Sequence, residues 1–323
     1  MTKSNEECQI INQKTLDDFL EDVLLGLGSK PKKLSPKYFY DEAGSELFAK
    51  ICSLEEYYPT RTEIGILREH SREIAAAIGA GRILIEYGAG SLEKVRILLD
   101  ALSSLVAFVP VDISHSYLMS AADNLRQSYP DLLIQPVIGD FSQNFDLPKL
   151  PSSDDRHIAF FPGSTIGNFD PYPAKDFLTS IANTVGPGGG LLIGVDLQKD
   201  VSKLISAYDD SAGITAQFNK NILMRINREL GGDFNLELFS HKVRYDAEFG
   251  RIEMHLRSLT AQDVNVAGQN FHFTKGETIH TENCYKYTLD SFDAIAENAH
   301  FKRHGEWMDH QELFAVLYYV CEN

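Results

Sequence analysis

Ile83-Leu84-Ile85-Glu86-Tyr87-Gly88-Ala89-Gly90 is the stretch on which the reading of the chain turns. It is a short apolar run that ends in an acid and enters a glycine turn. The next segment carries Leu92, Val95, Leu98, Leu99 and Leu102 on one helical face. The same sentence of residues is then repeated. Val106 to Val111 is apolar and ends at Asp112, and Ser114 is placed to cap a helix bearing Leu118, Ala121, Ala122 and Leu125. Leu132 to Ile138 leads into Gly139-Asp140-Phe141, and His157 to Phe161 into Pro162-Gly163-Ser164-Thr165-Ile166-Gly167-Asn168. A helix with Phe177, Leu178 and Ile181 closes at Gly186-Pro187-Gly188-Gly189-Gly190, and Leu191 to Val195 ends at Asp196.

Short apolar runs alternating with amphipathic helices predict βαβ units and a parallel, Rossmann-like α/β sheet. Glu86, Asp112 and Asp140 stand 26 and 28 residues apart, close to the roughly 30 residues of one βαβ unit. Each acid falls at the carboxyl end of its strand, where open α/β sheets hold ligands.

Outside this core the pattern changes. Residues 13–30 read as an amphipathic helix through Leu16, Phe19, Leu20, Val23, Leu24 and Leu27, and Lys30 to Pro36 as a basic loop. Residues 200–230 read as helices, 240–287 as alternating strands and 289–299 as a helix, and Leu313 to Val320 as a strand rejoining the sheet at its edge. These segments predict two domains. Residues 61–198 plus 288–323 form the cofactor-binding sheet, and 1–60 plus 199–287 an α+β substrate-binding lobe.

Bulk properties narrow the function. The 323 residues suffice for a full core and a second lobe. A net charge of −16, from 30 Lys+Arg against 46 Asp+Glu, argues against nucleic acid and anionic membrane as partners. Met1 to Asn12 is polar without a signal pattern, and no apolar run is long enough to span a bilayer, so a cytoplasmic location is expected. The four cysteines form no C-x-x-C pair and the histidines no H-E-x-x-H motif, so free thiols and no metal are expected.

The ligand chemistry is read from the strand ends. Gly88 and Gly90 allow close backbone approach to a ligand. A dinucleotide fingerprint needs a third glycine where this chain has Glu93, and Glu86 would repel a pyrophosphate. A carboxylate there suits a ligand with an ammonium group, such as the methionine portion of S-adenosylmethionine. Asp112 can accept both hydroxyls of a ribose. Asp140 offers an acceptor for an adenine amino group and Phe141 a ring for the base. Lys94 lies early in a helix, within reach of a ligand carboxylate. Tyr58, before Pro59, is biased towards an extended conformation. Glu282 and Cys284 alternate along one face of a strand.

Five stretches together resemble a known family: Tyr38-Phe39-Tyr40-Asp41, Tyr57-Tyr58-Pro59-Thr60-Arg61-Thr62-Glu63, Gly163-Ser164-Thr165-Ile166-Gly167-Asn168, Ala207-Tyr208-Asp209-Asp210 and Arg251-Ile252-Glu253-Met254. They are similar to the histidine-specific methyltransferases of ergothioneine biosynthesis, which trimethylate the α-amino group of L-histidine to hercynine. The resemblance runs in order along nearly the whole chain. It implies a class I methyltransferase sheet and a site for S-adenosylmethionine at Tyr40, Gly88, Lys94, Asp112, Asp140 and Phe141, to which the reading of the glycine turn adds Glu86 and Gly90. It also implies that Asn168 and Tyr208 hold the substrate carboxylate, with Gly163 near the amine. Tyr57 and Glu282 would contact the imidazole and Met254 would pack against it. The family pattern has serine where this chain has Cys284, which softens one contact to the ring.

The expected reaction is methyl transfer to a neutral α-amine, with no residue assigned as general base and Tyr40 as the candidate for positioning the amine. Another free amino acid, such as tryptophan or tyrosine, is an alternative acceptor. An NAD-dependent oxidoreductase or a nucleotide-binding module is the alternative from another class. The expected partner is a small molecule, and a monomer suffices.

Overall fold

A computed structural model describes residues 16–90, 92–102, 104–141, 147, 148, 150 and 156–322. The polar segment Met1–Asn12, with Cys8, lies outside the described residues. The chain divides into two compact units, one of Met1–Tyr57 with Asp200–Asn283 and one of Tyr58–Lys199 with Cys284–Asn323.

The second unit is an eight-stranded sheet with helices on both faces. Its strands are β2 (Ile83–Tyr87), β3 (Ala107–Asp112), β4 (Leu133–Ile134), β5 (Val137–Ile138), β6 (His157–Phe161), β7 (Gly190–Asp196), β13 (Phe301–Met308) and β14 (Phe314–Cys321). Their order is β13-β14-β7-β6-β2-β3-β4, with β5 also pairing β3. Strands β2 to β7 run parallel along this order, whereas β14 is antiparallel to both β7 and β13. The chain leaves β2 towards β3 and returns to its other side at β6. That reversal is the topological switch point, and ligands bind outside the strand ends there.

Alternate side chains of β2 serve two cores, which is why the strand reads as a continuous apolar run. Ile83, Ile85 and Tyr87 pack with Phe177, Leu178 and Ile181 of α6 (Pro171–Val185) and Phe292 of α9 (Leu289–Glu297). Leu84 packs with Ile66, Leu67 and Ile74 of α3 (Tyr58–Ile78), Val95 and Leu98 of α4 (Glu93–Ala101), and Leu118 and Leu125 of α5 (His115–Ser128). Helix α6 stops at Gly186, whose φ of 68° favours glycine.

Four local expectations are corrected. Strand β14 is interior; the edge is β13, whose Phe-Lys-Arg-His-Gly-Glu sequence is too polar to announce a strand, as suits an edge. The run from Leu132 to Ile138 is two short strands broken at Gln135-Pro136, because proline cannot donate to the ladder. Tyr58 is not extended but opens α3, where the missing N–H of Pro59 costs nothing. Ser114 occupies the cap position of α5 without a side-chain capping bond. Its N–H instead donates to Asp112 Oδ1 at 2.8 Å.

The first unit carries a four-stranded sheet of β1 (Lys32–Lys33), β8 (Phe239–Asp246), β9 (Arg251–Ser258) and β12 (Thr278–Tyr285), in the order β1-β12-β9-β8. Within the basic loop, Lys32 and Lys33 pair with Ile279 and His280. A hairpin, β10 (Gln262–Val266) with β11 (Gln269–Phe273), stands apart from that sheet. The helices are α1 (residues 16–28), α2 (Glu42–Cys52), α7 (Val201–Tyr208) and α8 (Ile214–Leu230). Asp41 caps α2 through the Gly44 N–H at 2.8 Å and takes Asn221 Nδ2 of α8 at 2.7 Å, which ties the two helices together.

The unit boundaries fall at 57/58, 199/200 and 283/284. Residues 58–60, 199 and 284–287, expected with the substrate lobe, therefore fall with the sheet. The cause is local: Tyr58 donates to Asp196 at 2.8 Å, and the N–H of Tyr287 donates to the Asp196 carbonyl at 3.1 Å.

Candidate active site

The strand ends of the sheet unit converge as the spacing of the acids requires. The N–H groups of Gly88 and Ala89 both donate to the Val111 carbonyl, at 2.9 and 3.1 Å, and the Gly139 N–H donates to the Asp112 carbonyl at 3.0 Å. These bonds tie the loops after β2 and β5 to the end of β3. Gly88 has φ +73°, and a β-carbon there would lie 3.3 Å from Cε1 of Phe141. The glycine therefore lets the Phe141 ring lie close to the turn. Asp140 lies two residues past the end of β5, next to Gly139.

Glu86 is buried, and its Oε2 has no hydrogen-bond partner among the described residues. Burial pushes its pKa up to about 8; Lys94 opposes this, while Asp112 and Glu63 add to it. Burial also raises Asp112, against the N–H groups of Ser114, Gly90 and Ile113. Two acids with desolvated carboxyls, one of them short of a donor, make a place for a cation and for hydroxyl donors.

Lys94 is fixed by a carboxylate of the protein itself. Its Nζ lies 2.6 Å from Oε2 of Glu63, a carboxylate with no exposed side-chain surface. The same carboxylate accepts the N–H of Gly163 at 3.0 and 2.9 Å. Gly163 has φ +82°. A side chain at Gly194 of β7 would overlap the Glu63 carboxyl, so the strand is cut away to admit it. Glu63 thus joins α3, α4 and the loop after β6. It closes the stretch Tyr57–Glu63, yet nothing local marks it, because its Gly163 partner is 100 residues away.

Asn168 ends a 3-10 turn, Thr165–Asn168. A β-carbon at Gly167 would lie 2.8 Å from the Tyr285 carbonyl and 3.4 Å from Sγ of Cys284. The loop bearing Gly163 and Asn168 is therefore packed against Cys284. The buried Cys284 Sγ lies 3.1 Å from Lys286 Nζ, and Lys286 pairs with Asp196 at 2.7 Å. Asp196 also takes Lys199 at 2.5 Å and two contacts of 2.8 Å from the Tyr58 hydroxyl. Burial would raise the Asp196 carboxyl, but Lys286 and Lys199 hold it below the usual range. Burial lowers Lys199 to about 8. This cluster was also missed by the sequence reading; only Asp196, as a strand-end acid, left a trace.

The remaining expected residues belong to the other unit and form two groups there. The Tyr40 and Phe48 rings lie 5.6 Å apart, Phe48 and Tyr57 6.2 Å, and Tyr57 and Tyr208 6.2 Å. Phe48 thus links Tyr40 to Tyr57, and Tyr57 in turn meets Tyr208. Met254 and Glu282 are both buried on neighbouring strands β9 and β12, where Thr281 donates to the Met254 carbonyl at 3.0 Å.

These residues fit S-adenosylmethionine. The unpartnered Glu86 oxygen suits an ammonium, Asp112 suits ribose hydroxyls, and the glycine turn beside Phe141 suits a nucleoside. Comparison with known proteins agrees. Residues 19–321 match the family model described as histidine-specific methyltransferase, SAM-dependent. The chain is 45% identical to the histidine N-alpha-methyltransferase of Mycolicibacterium smegmatis, over 89% of this chain and 90% of that one. It is 44% identical to the protein of that name from Mycobacterium tuberculosis, over 91% and 92%. Ergothioneine biosynthesis protein 1 of Neurospora crassa is 31% identical over 86% of this chain and 32% of its own length. S-adenosylmethionine is therefore the cofactor, and the chain belongs to the histidine-specific, SAM-dependent methyltransferases.

Proposed function

We propose that the enzyme methylates the α-amino nitrogen of L-histidine three times, giving hercynine for ergothioneine biosynthesis. The observation that carries this reading is the match of residues 19–321 to a histidine-specific family, at 45% identity to a histidine N-alpha-methyltransferase. S-adenosylmethionine supplies an electrophilic methyl group on its sulfonium. The protein's own work is to bind and orient the two reactants. Holding them in a near-attack geometry supplies roughly 7–11 kcal/mol in favourable cases.

In this reading Tyr40, Glu86, Gly88, Gly90, Lys94, Asp112, Asp140 and Phe141 hold the cofactor. Glu86 meets the ammonium, and Lys94, fixed by Glu63, meets the carboxylate. Asn168 and Tyr208 hold the substrate carboxylate, with the Gly163 backbone near the amine. Tyr57, Glu282 and Cys284 read the imidazole, and Met254 packs against it. The nucleophile is the neutral amine, and Tyr40 guides it. We place the enzyme in the cytoplasm, acting as a monomer on a small molecule without nucleic acid or membrane. The net charge of −16 argues against nucleic acid and anionic membrane as partners, and among the described residues no helix is long and apolar enough to cross a membrane.

Incubation with S-adenosylmethionine and a panel of free amino acids, followed by mass analysis, tests the proposal. Trimethylhistidine should be the dominant product. Preferential methylation of tryptophan or tyrosine would replace histidine as the acceptor.

A further inference from the structure

Tyr208 is the last residue of α7, so its carbonyl has no partner within the helix. His241 of β8 meets that carbonyl through Nε2 at 2.9 Å. The other ring nitrogen, Nδ1, lies 2.8 Å from Nδ2 of Asn219, a residue of α8 with no exposed surface. Asn219 Nδ2 also donates to the His255 carbonyl at 3.1 Å. A carbonyl can only accept, so the amide nitrogen must face His255, and it presents its second N–H to His241. Nδ1 is then an acceptor, and the ring proton resides on Nε2, aimed at Tyr208.

We propose that His241, as the neutral Nε2–H tautomer selected by Asn219, is a positioning residue that sets Tyr208 for substrate binding. The inference rests on the assignment of Tyr208 to the substrate carboxylate. The far side of the same turn is also tied: Asp210 accepts the N–H groups of Ile214 and Thr215 at 2.9 and 2.7 Å. The chain from Tyr208 to Asp210 is therefore held at both ends, and the Tyr208 ring is directed from a fixed backbone. Burial lowers the His241 pKa, while the Tyr208 carbonyl, Asp209 and Asp210 raise it and Lys220 lowers it further. The net direction keeps the ring neutral. A second proton would bring Nδ1–H against the Asn219 N–H, with His255 of β9 closing the other side.

His241→Phe removes both bonds, and His241→Gln restores one donor and one acceptor at the end of a side chain of similar reach. His241→Phe should raise the KM for L-histidine by about tenfold, the effect of losing one buried hydrogen bond. Its kcat should change far less, and its affinity for S-adenosylhomocysteine should be unchanged. His241→Gln should return the KM close to wild type. An unchanged KM in His241→Phe, or a folded His241→Gln as impaired as the phenylalanine variant, overturns the proposal. Nitrogen-15 shifts of the His241 ring, assigned by its loss in His241→Gln, should show a protonated Nε2 and a bare Nδ1. The opposite tautomer overturns it as well. If the wild type methylates no histidine, the proposed function fails by itself, and the ring shifts still decide the inference.

Discussion

Glu63 and Lys94 form an ion pair of 2.6 Å in which the carboxylate has no exposed surface. The same carboxylate receives the Gly163 N–H, so one buried charge aligns a helix lysine and a loop backbone. Removing one member of a buried pair leaves the other uncompensated, at about 3–5 kcal/mol. Glu63→Ala should therefore lower the unfolding free energy by about that amount. Glu63→Gln keeps the size and should weaken S-adenosylhomocysteine binding by releasing Lys94. Denaturant titration and calorimetry check both; unchanged values in both variants would remove Glu63 from this role.

Glu86 makes the ligand-free protein sensitive to pH. Its folded pKa of about 8 lies above the ordinary 4.5. The unfolded chain therefore loses its proton first, and the stability held below pH 4.5 is lost as pH rises towards about 8. Glu86→Gln should flatten that slope in thermal melts of the free protein. The ionised carboxylate is the form that pairs with an ammonium, so wild-type affinity for S-adenosylhomocysteine should increase between pH 6 and 8 while the variant's stays low. Parallel pH profiles for the two proteins would rule out this assignment.

Asp112 and Glu282 should separate cofactor binding from substrate binding. A hydrogen bond to a charged group contributes about 1.5–3 kcal/mol, roughly ten- to a hundredfold in affinity. Asp112→Ala should lose that factor in cofactor affinity. Glu282→Ala should lose it in the KM for L-histidine and leave cofactor affinity near normal. Isothermal calorimetry and initial rates give the two numbers, and equal losses of both in either variant would contradict the division of labour.

Asp196 carries the charge of Lys286 and Lys199. Asp196→Asn removes the carboxylate that pairs with the buried ammonium of Lys286 and should destabilise the protein by about 3–5 kcal/mol. The wild-type carboxyl titrates below its ordinary 3.8, so its contribution is present above that pH and is lost as pH falls below it. Acid unfolding should therefore begin at higher pH in the variant's melts than the lost carboxyl alone would give, because its margin is already smaller. A variant as stable as wild type at neutral pH would mean that Lys286 discharges instead.

Much of the sheet was legible because burial on both faces leaves a mark in the chain. Ile83 to Ile85 and Leu191 to Val195 are apolar without interruption, and their lengths suit strands rather than helices. The acids at 86, 112 and 140 were legible for a related reason: a βαβ unit has a nearly constant length, so strand ends recur at a regular interval. Strand β13 and helix α3 were not seen. The first is polar at an exposed edge, and the second opens on Tyr58-Pro59 and buries an acid among its apolar positions.

Local order in this protein, then, was written in the chain itself: helical and strand periods, glycine turns and the rhythm of strand-end acids depend on neighbours a few residues apart. Which side chains share a charge did not follow from it. Glu63 with Gly163, Asp196 with Lys286, and His241 with Tyr208 join residues 100, 90 and 33 positions apart. Such pairs exist only once the chain has folded back on itself, because hydrogen bonds and desolvation act over a few ångströms of space and carry no trace along the sequence.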